Sequence, residues 1–463
     1  MGVIVSPDVS RILEVYDKSE AGSYCTLKDF DLKRLPSKLK NLVKEYDIRY
    51  DPDQPVPQDN SLADNLFQAG FQLFLDLGVL CLNTERLIKF EEEVVKTTLR
   101  NLKPEVSVGA GRDSRIVYYR KIEDPKPPVI FGGPFGGLLT SGRPYVDAQT
   151  SFAKESVVSM ICRGSPTEIE GRNPTLGTPV EMHAAKSEAR WLREAAARAG
   201  RPGMHIVGSV AESAAAEIAS SDREFGYRPT DGRNITLLTS LKTNYNLLCK
   251  IKHYLDYSTF IYSYTTNLIG GYSGGPATTA IVEIASHLAD VMINQATYQA
   301  ICVMHIHLMN TSSRDCIWAQ NLVGQALARN SKIMTFLSVG PSAGPSTEMI
   351  LYEVAANSLG AVGGGNLLGV FGTGGKLHDK YTGLEQRFMG EIGSVSTKLK
   401  RADANELTKS ILDKYEKHFQ NPPLGKTLQE CYDIKQLIPN KEWQQIYETV
   451  KREIQDLGIP IEH

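Results

Sequence analysis

The stretch Arg201-Pro-Gly-Met-His-Ile-Val-Gly208 decides how this chain is read. It follows a long amphipathic segment ending in Ala-Arg-Ala-Gly200 and precedes a small-residue helix predicted over 211–220. A short apolar run between two helices reads as one strand of a β/α repeat. In such repeats the carboxyl end of each strand faces the chemistry, which singles out His205 to Gly208. Side chains alternate along a strand, so His205 and Val207 share a face.

Outward from that strand the same unit recurs. Strands are predicted over 129–131, 157–162, 204–207, 225–228, 259–264, 303–308, 333–339 and 367–371. Helices fit between most of them, over 179–199, 211–220, 235–255, 278–297, 314–328 and 347–359. Eight strands alternating with helices predict an α/β fold, a (β/α)8 TIM barrel over 127–380. A doubly wound sheet is the alternative. It gains no support from Gly270-Gly-Tyr-Ser-Gly-Gly275 or Gly363-Gly-Gly365, which lack the GxGxxG spacing of a dinucleotide site and fit tight β/α turns.

An N-terminal extension, 1–126, is predicted to be helical over 35–46, 60–71 and from 83 to 99. It ends in a hairpin over 106–119, placed to plug one end of the barrel. A C-terminal extension, 381–463, is predicted to carry charged amphipathic helices over 407–419 and 441–457.

The chain has 463 residues, a formal net charge of −2 and 41% hydrophobic residues, enough for one large barrel with extensions. The balanced charge points to neither nucleic acid nor a membrane surface as a partner. No run of about 18 apolar residues marks a membrane span. The amino terminus lacks the basic and apolar regions of a signal peptide. Seven scattered cysteines without a CxxC pair suggest reduced thiols in a cytoplasmic protein.

Five segments follow one another in the chain: Val108-Gly-Ala-Gly-Arg-Asp113, Ala184-Ala-Lys-Ser-Glu-Ala-Arg190, Gly200-Arg-Pro-Gly-Met204, Ala343-Gly-Pro-Ser-Thr-Glu-Met349 and Gly425-Lys-Thr-Leu-Gln-Glu-Cys-Tyr-Asp433. In that order they resemble the archaeal monomethylamine methyltransferase family. The resemblance implies a barrel assembled as a homohexamer. It also implies methyl transfer from a small methylated substrate to a corrinoid (cobalamin) carried by a cognate partner protein, with no cofactor tightly bound to the barrel itself. The family's pyrrolysine position falls on Val207, so no pyrrolysine is expected here. The surrounding family positions, two glutamates, a glutamine and a tyrosine, fall on Asn234, Tyr264, Ser338 and Gly340, while Glu348 is kept. All five site residues are therefore changed, which argues against monomethylamine as substrate.

Three chemistries suit such a pocket. A quaternary amine leaves as a neutral amine without needing a proton, and Tyr262 and Tyr264 share a strand face that attracts cations. The pyrrolysine-free members of the related trimethylamine methyltransferase family offer an analogy. An O-, S- or other N-methyl donor would need an acid, for which His205 is the candidate, with Asn234 and Ser338 hydrogen-bonding to the substrate. A metal would use His305 and His307, which a strand places on one face, completed by His205 or Glu348. Plainer readings stand beside these: tyrosines that fill the barrel, histidines satisfied in its core, and a catalytically inactive barrel serving as a binding or regulatory subunit.

Overall fold

The computed structural model describes residues 9–134, 140–208, 213–257, 260–371, 379–459 and 461. Eight parallel strands close into a barrel: β1 Ile130–Gly132, β2 Val158–Cys162, β3 His205–Gly208, β4 Gly232–Ile235, β5 Phe260–Ile269, β6 Tyr298–His305, β7 Thr335–Val339 and β8 Leu367–Phe371. Each pairs with its sequence neighbours, and β8 pairs with β1 to complete the ring. The predicted (β/α)8 fold is the observed one.

Strand faces divide cleanly. Phe131, Met160, Cys162, Val207, Tyr262, Tyr298, Ala300 and Phe336 form one buried cluster inside the barrel, whereas Ile161, Ile206, Leu337 and Leu368 join the helices outside. Aromatic rings fill the interior: Phe131 meets Tyr262 and Phe336 at centroid separations of 5.1 and 5.4 Å, and Tyr298 meets Tyr262 and Phe336 at 5.5 and 5.9 Å. Tilted and edge-on rings at these separations are favourable packing, so this part of the barrel is a solid core.

The fourth strand departs from the sequence expectation. Residues 225–228 form a turn instead, because the Asp222 carboxylate accepts the Glu224 and Phe225 amides at 2.8 and 2.9 Å. The strand lies at Gly232–Ile235, a run too polar to announce itself. Arg233 points outward and is neutralised by buried Glu217, and its guanidinium lies 4.4 Å from the Tyr227 ring centroid. Gly232 supplies room, since a Cβ there would stand 2.5 Å from the Tyr298 hydroxyl and 3.1 Å from His205 Nε2. The helix predicted over 235–255 accordingly begins only at Tyr245 (Tyr245–Tyr257).

Other boundaries move less. β6 begins and ends earlier than predicted, so His307 lies on the turn that follows it. Residues 83–88 form a turn and the short strand Arg86–Ile88, paired with Val79–Cys81, and the charged helix is confined to Glu92–Arg100. The helix after β3 is Ala214–Ser220; the predicted start at 211 and residue 259 lie outside the described residues.

The predicted hairpin pairs Glu105–Val108 with Arg115–Tyr118 and closes the amino end of the barrel. The Ala110 amide donates to the Gly203 carbonyl at 2.8 Å, and the Gly203 amide donates to Asp113 at 3.0 Å. At the opposite end, the Gly344 amide donates to the Pro423 carbonyl and the Lys426 amide to the Pro345 carbonyl, strapping the loop after β7. Helix Glu348–Gly363 is buried almost throughout because it packs among Gly383–Ser396, Arg401–Tyr415 and Lys441–Asp456 as well as the barrel. No described helix is long and apolar enough to cross a membrane.

Candidate active site

Register places the candidate residues at two depths. Asn234 stands beside Tyr262 across β4 and β5, and Tyr264 beside Ala300 across β5 and β6. Cys302 and Ser338 follow one inward step higher, toward the carboxyl end. The Tyr264 hydroxyl lies 3.1 Å from Cys302 Sγ, Thr266 Oγ1 donates to the same sulfur at 3.5 Å, and the buried Ser338 side chain lies beside this group. Val207 lies in register with Cys162 and Gly232, is 1% exposed, and forms an apolar wall beside them. Cys302, Thr266 and Thr311 are not singled out by the sequence, which offers only the alternation along β5 and β6 as a signal.

The loop after β7 is held by Thr311. Its hydroxyl accepts the Gly340 amide at 2.8 Å and donates to the Ser338 carbonyl at 3.1 Å. A Cβ at Gly340 would meet the Thr311 side chain at 3.1 Å, so a larger residue there must displace it. Gly208, next to Val207, is equally constrained: a Cβ would overlap the Tyr227 hydroxyl at 1.7 Å.

His205 occupies the other depth. It begins β3 at the end closed by the hairpin, is 1% exposed, and its Nε2 lies 2.8 Å from the Tyr298 hydroxyl. Burial drives its pKa down to about 3, opposed only in part by a backbone hydrogen bond to Thr230. A neutral imidazole beneath the aromatic layer is not placed to protonate a leaving group at the carboxyl mouth. Tyr262 is likewise fully buried in that layer and belongs to the packing, whereas half-buried Tyr264 rises above it.

Of the metal candidates only His305 and His307 come together, with ring centroids 5.8 Å apart. His305 is outward-facing at the end of β6, and its Nδ1 accepts the His307 and Leu308 amides at 3.2 and 3.3 Å, capping the turn. His307 is exposed, and Glu348 is an exposed residue in the first turn of Glu348–Gly363. Among the described residues no group of three or more metal-ligating side chains converges. Arg314, which opens the helix after β6, pairs with Glu416 at 3.0 Å.

Among the described residues, what converges at the carboxyl end of the barrel interior is uncharged. Its inward-facing polar groups include the Asn234 amide, the Tyr264, Thr266 and Ser338 hydroxyls and the Cys162 and Cys302 thiols. Burial raises Tyr264 well above its ordinary range and Cys302 to about 11, so both stay protonated near neutrality. Asn234 is 7% exposed, and its Oδ1 has no hydrogen-bond partner. Leaving a buried amide oxygen unmet costs roughly 1–3 kcal/mol.

The family model described as "Monomethylamine methyltransferase MtmB" matches residues 10–459. The chain belongs to this family. It is 34% identical over 451 residues to the monomethylamine methyltransferase MtmB of Methanosarcina mazei, covering 96% of this chain and 97% of that one. It is 33% identical, at the same coverage, to MtmB1 of Methanosarcina acetivorans. The crystal structure of Methanosarcina barkeri MtmB superposes with a TM-score of 0.93 at 32% identity, covering 97% of this chain and 98% of that one. The structure of the hydroxylamine complex of MtmB superposes equally well. This chain is thus a methyltransferase of a corrinoid-dependent family that works with a corrinoid protein.

Proposed function

We propose that this methyltransferase works without pyrrolysine, taking its methyl group from a quaternary or comparably activated N-methyl ammonium and passing it to a corrinoid protein. One observation carries the reading: the described carboxyl half of the barrel presents hydroxyl, thiol and amide groups but no side chain that titrates near neutrality. These described groups offer no acid to a poor leaving group. A quaternary nitrogen needs none, because the C–N electron pair stays with nitrogen and a neutral tertiary amine departs. The methyl carbon takes its new bond from the electron pair of the partner's reduced cobalt.

The protein's part is then placement. The Tyr264 ring offers a face to the cation, an interaction of roughly 0.5–2 kcal/mol. Val207 and the aromatic layer below it close the floor, so the substrate is held toward the mouth in line for displacement. Asn234 and Ser338 supply polar contacts at the wall.

The test is methylation of the cognate corrinoid protein, reduced to Co(I) and followed by its visible absorbance. The donor panel holds monomethylamine, quaternary amines, methyl ethers and methyl thiols. Turnover of the quaternary amines alone is the expected result. Turnover of monomethylamine would overturn the proposal, and silence with a competent corrinoid partner would turn the reading toward a binding subunit.

A further inference from the structure

We infer that the methyl donor carries, beside its cationic nitrogen, a neutral hydrogen-bonding arm, and that the Asn234 amide is the specificity-determining group that reads it. The inference rests on the quaternary-amine reading and narrows it to a substrate class.

Asn234 cannot turn away from the site. It is held in β4 between Tyr262 of β5 and β3, and its own carbonyl accepts the Tyr254 hydroxyl at 3.2 Å. Its side chain lies on the inward face, more than nine-tenths buried, with Oδ1 unpartnered. Among the described neighbours, Gly232, one inward step below, has no side chain, Val207 is apolar, and the Tyr264 hydroxyl is engaged with Cys302. An amide oxygen kept buried and unmet weakens the folded chain, and on the inward face of this half a ligand can meet it.

The arm is not a carboxylate. None of the described inward-facing side chains of this half is cationic, and a carboxylate enclosed there would be a buried charge without a partner. An amide offers one acceptor and a two-hydrogen donor, which matches a hydroxyl or a carboxamide. Choline, tetramethylammonium and glycine betaine separate these cases: they share the quaternary nitrogen and differ in carrying a hydroxyl, no polar arm, or a carboxylate.

Binding of the three to the full-length protein by calorimetry tests the inference independently of turnover, with Asn234→Ala and Asn234→Leu as variants. Choline is expected to bind at least about tenfold more tightly than tetramethylammonium, with glycine betaine no better than tetramethylammonium. Asn234→Leu is expected to erase the difference while Tm holds or rises. Equal affinity for choline and tetramethylammonium, or a preference that survives in Asn234→Leu, would overturn the inference while leaving the quaternary reading intact. A Tm lowered by several degrees in both variants would make the amide structural and also overturn it. If choline fails to bind but N-methylethanolamine binds and loses affinity in Asn234→Leu, the arm stands and the quaternary reading falls. Binding by none of these compounds would overturn both.

Discussion

The His205 imidazole and the Tyr298 hydroxyl meet at 2.8 Å beneath the aromatic layer, at the end of the barrel that the hairpin closes. That pair is part of the floor, and its chemistry is that of a buried neutral base. Replacing His205 with Gln is therefore expected to change turnover by no more than a few-fold and to leave its pH profile in place. The variant should instead show in stability. The folded-state pKa is about 3 against about 6.5 in an unfolded chain, so between these values the unfolded state binds a proton that the native state refuses. Stability is lost as pH falls below about 6.5, by up to about 2 kcal/mol at pH 5, and no loss from this group occurs above that range. Melts at pH 7 and pH 5 should show a smaller difference for His205→Gln than for the parent. His287, lowered to about 4 by burial, gives the same sign and remains in both proteins.

Tyr264 offers a face and a hydroxyl, and substitution separates them. Tyr264→Phe keeps the ring and loses the hydroxyl with its contact to Cys302, so KM for a quaternary donor should move little. Tyr264→Leu removes the face, and a cation contact of roughly 0.5–2 kcal/mol corresponds to a rise in KM of about 2- to 30-fold. Equal effects of the two variants would assign the role to the hydroxyl and count against the cation face.

Metal removal is expected to do nothing. His305 faces outward with Nδ1 engaged by two backbone amides, His307 is exposed, and His205 sits at the closed end. Dialysis against a strong chelator should leave Tm and methyl transfer unchanged, and elemental analysis should find zinc well below one equivalent. Loss of activity on chelation with recovery on adding zinc would restore the metal route.

These outcomes turn on depth along the barrel axis, which is where the sequence is least legible. Periodicity marks seven of the eight strands because parallel strands buried on both faces are apolar runs. It misses β4, whose Arg233 is tolerated only because Glu217, far away in the local pattern, neutralises it. Alternation correctly pairs His205 with Val207 and Tyr262 with Tyr264 on inward faces. It does not say which member of each pair lies toward the mouth. Strand direction and the hairpin plug supply that answer, putting His205 and Tyr262 in the floor and leaving Tyr264 above them. His305 and His307 look like neighbours on a strand, but β6 ends at His305 and a turn carries His307, the two rings staying 5.8 Å apart without a third ligand among the described residues.

The loop bearing Gly340 depends on a residue that no motif suggests. Glu353, buried on helix Glu348–Gly363, accepts the Ser312 hydroxyl at 2.5 Å and the Ser342 amide at 2.7 Å through one oxygen, and the Ala343 amide at 2.9 Å through the other. It thereby ties the loops after β6 and β7 together. Glu353→Gln must turn an NH2 group toward at least one of these donors, at a cost of roughly 1–3 kcal/mol. Tm should fall, and amide hydrogen exchange should quicken over 340–346 before it does in the barrel strands. Burial holds the Glu353 pKa up at about 7, above its unfolded value, so the native state keeps a proton that the unfolded state releases. This group's contribution is largest below about pH 4.5 and declines as pH rises through 7. Because Gln does not titrate, the stability gap between parent and Glu353→Gln should narrow from pH 5 to pH 8, as read by chemical denaturation. A gap that stays flat over that range would mean that the three donors outweigh burial and that the carboxylate is already ionised at pH 5.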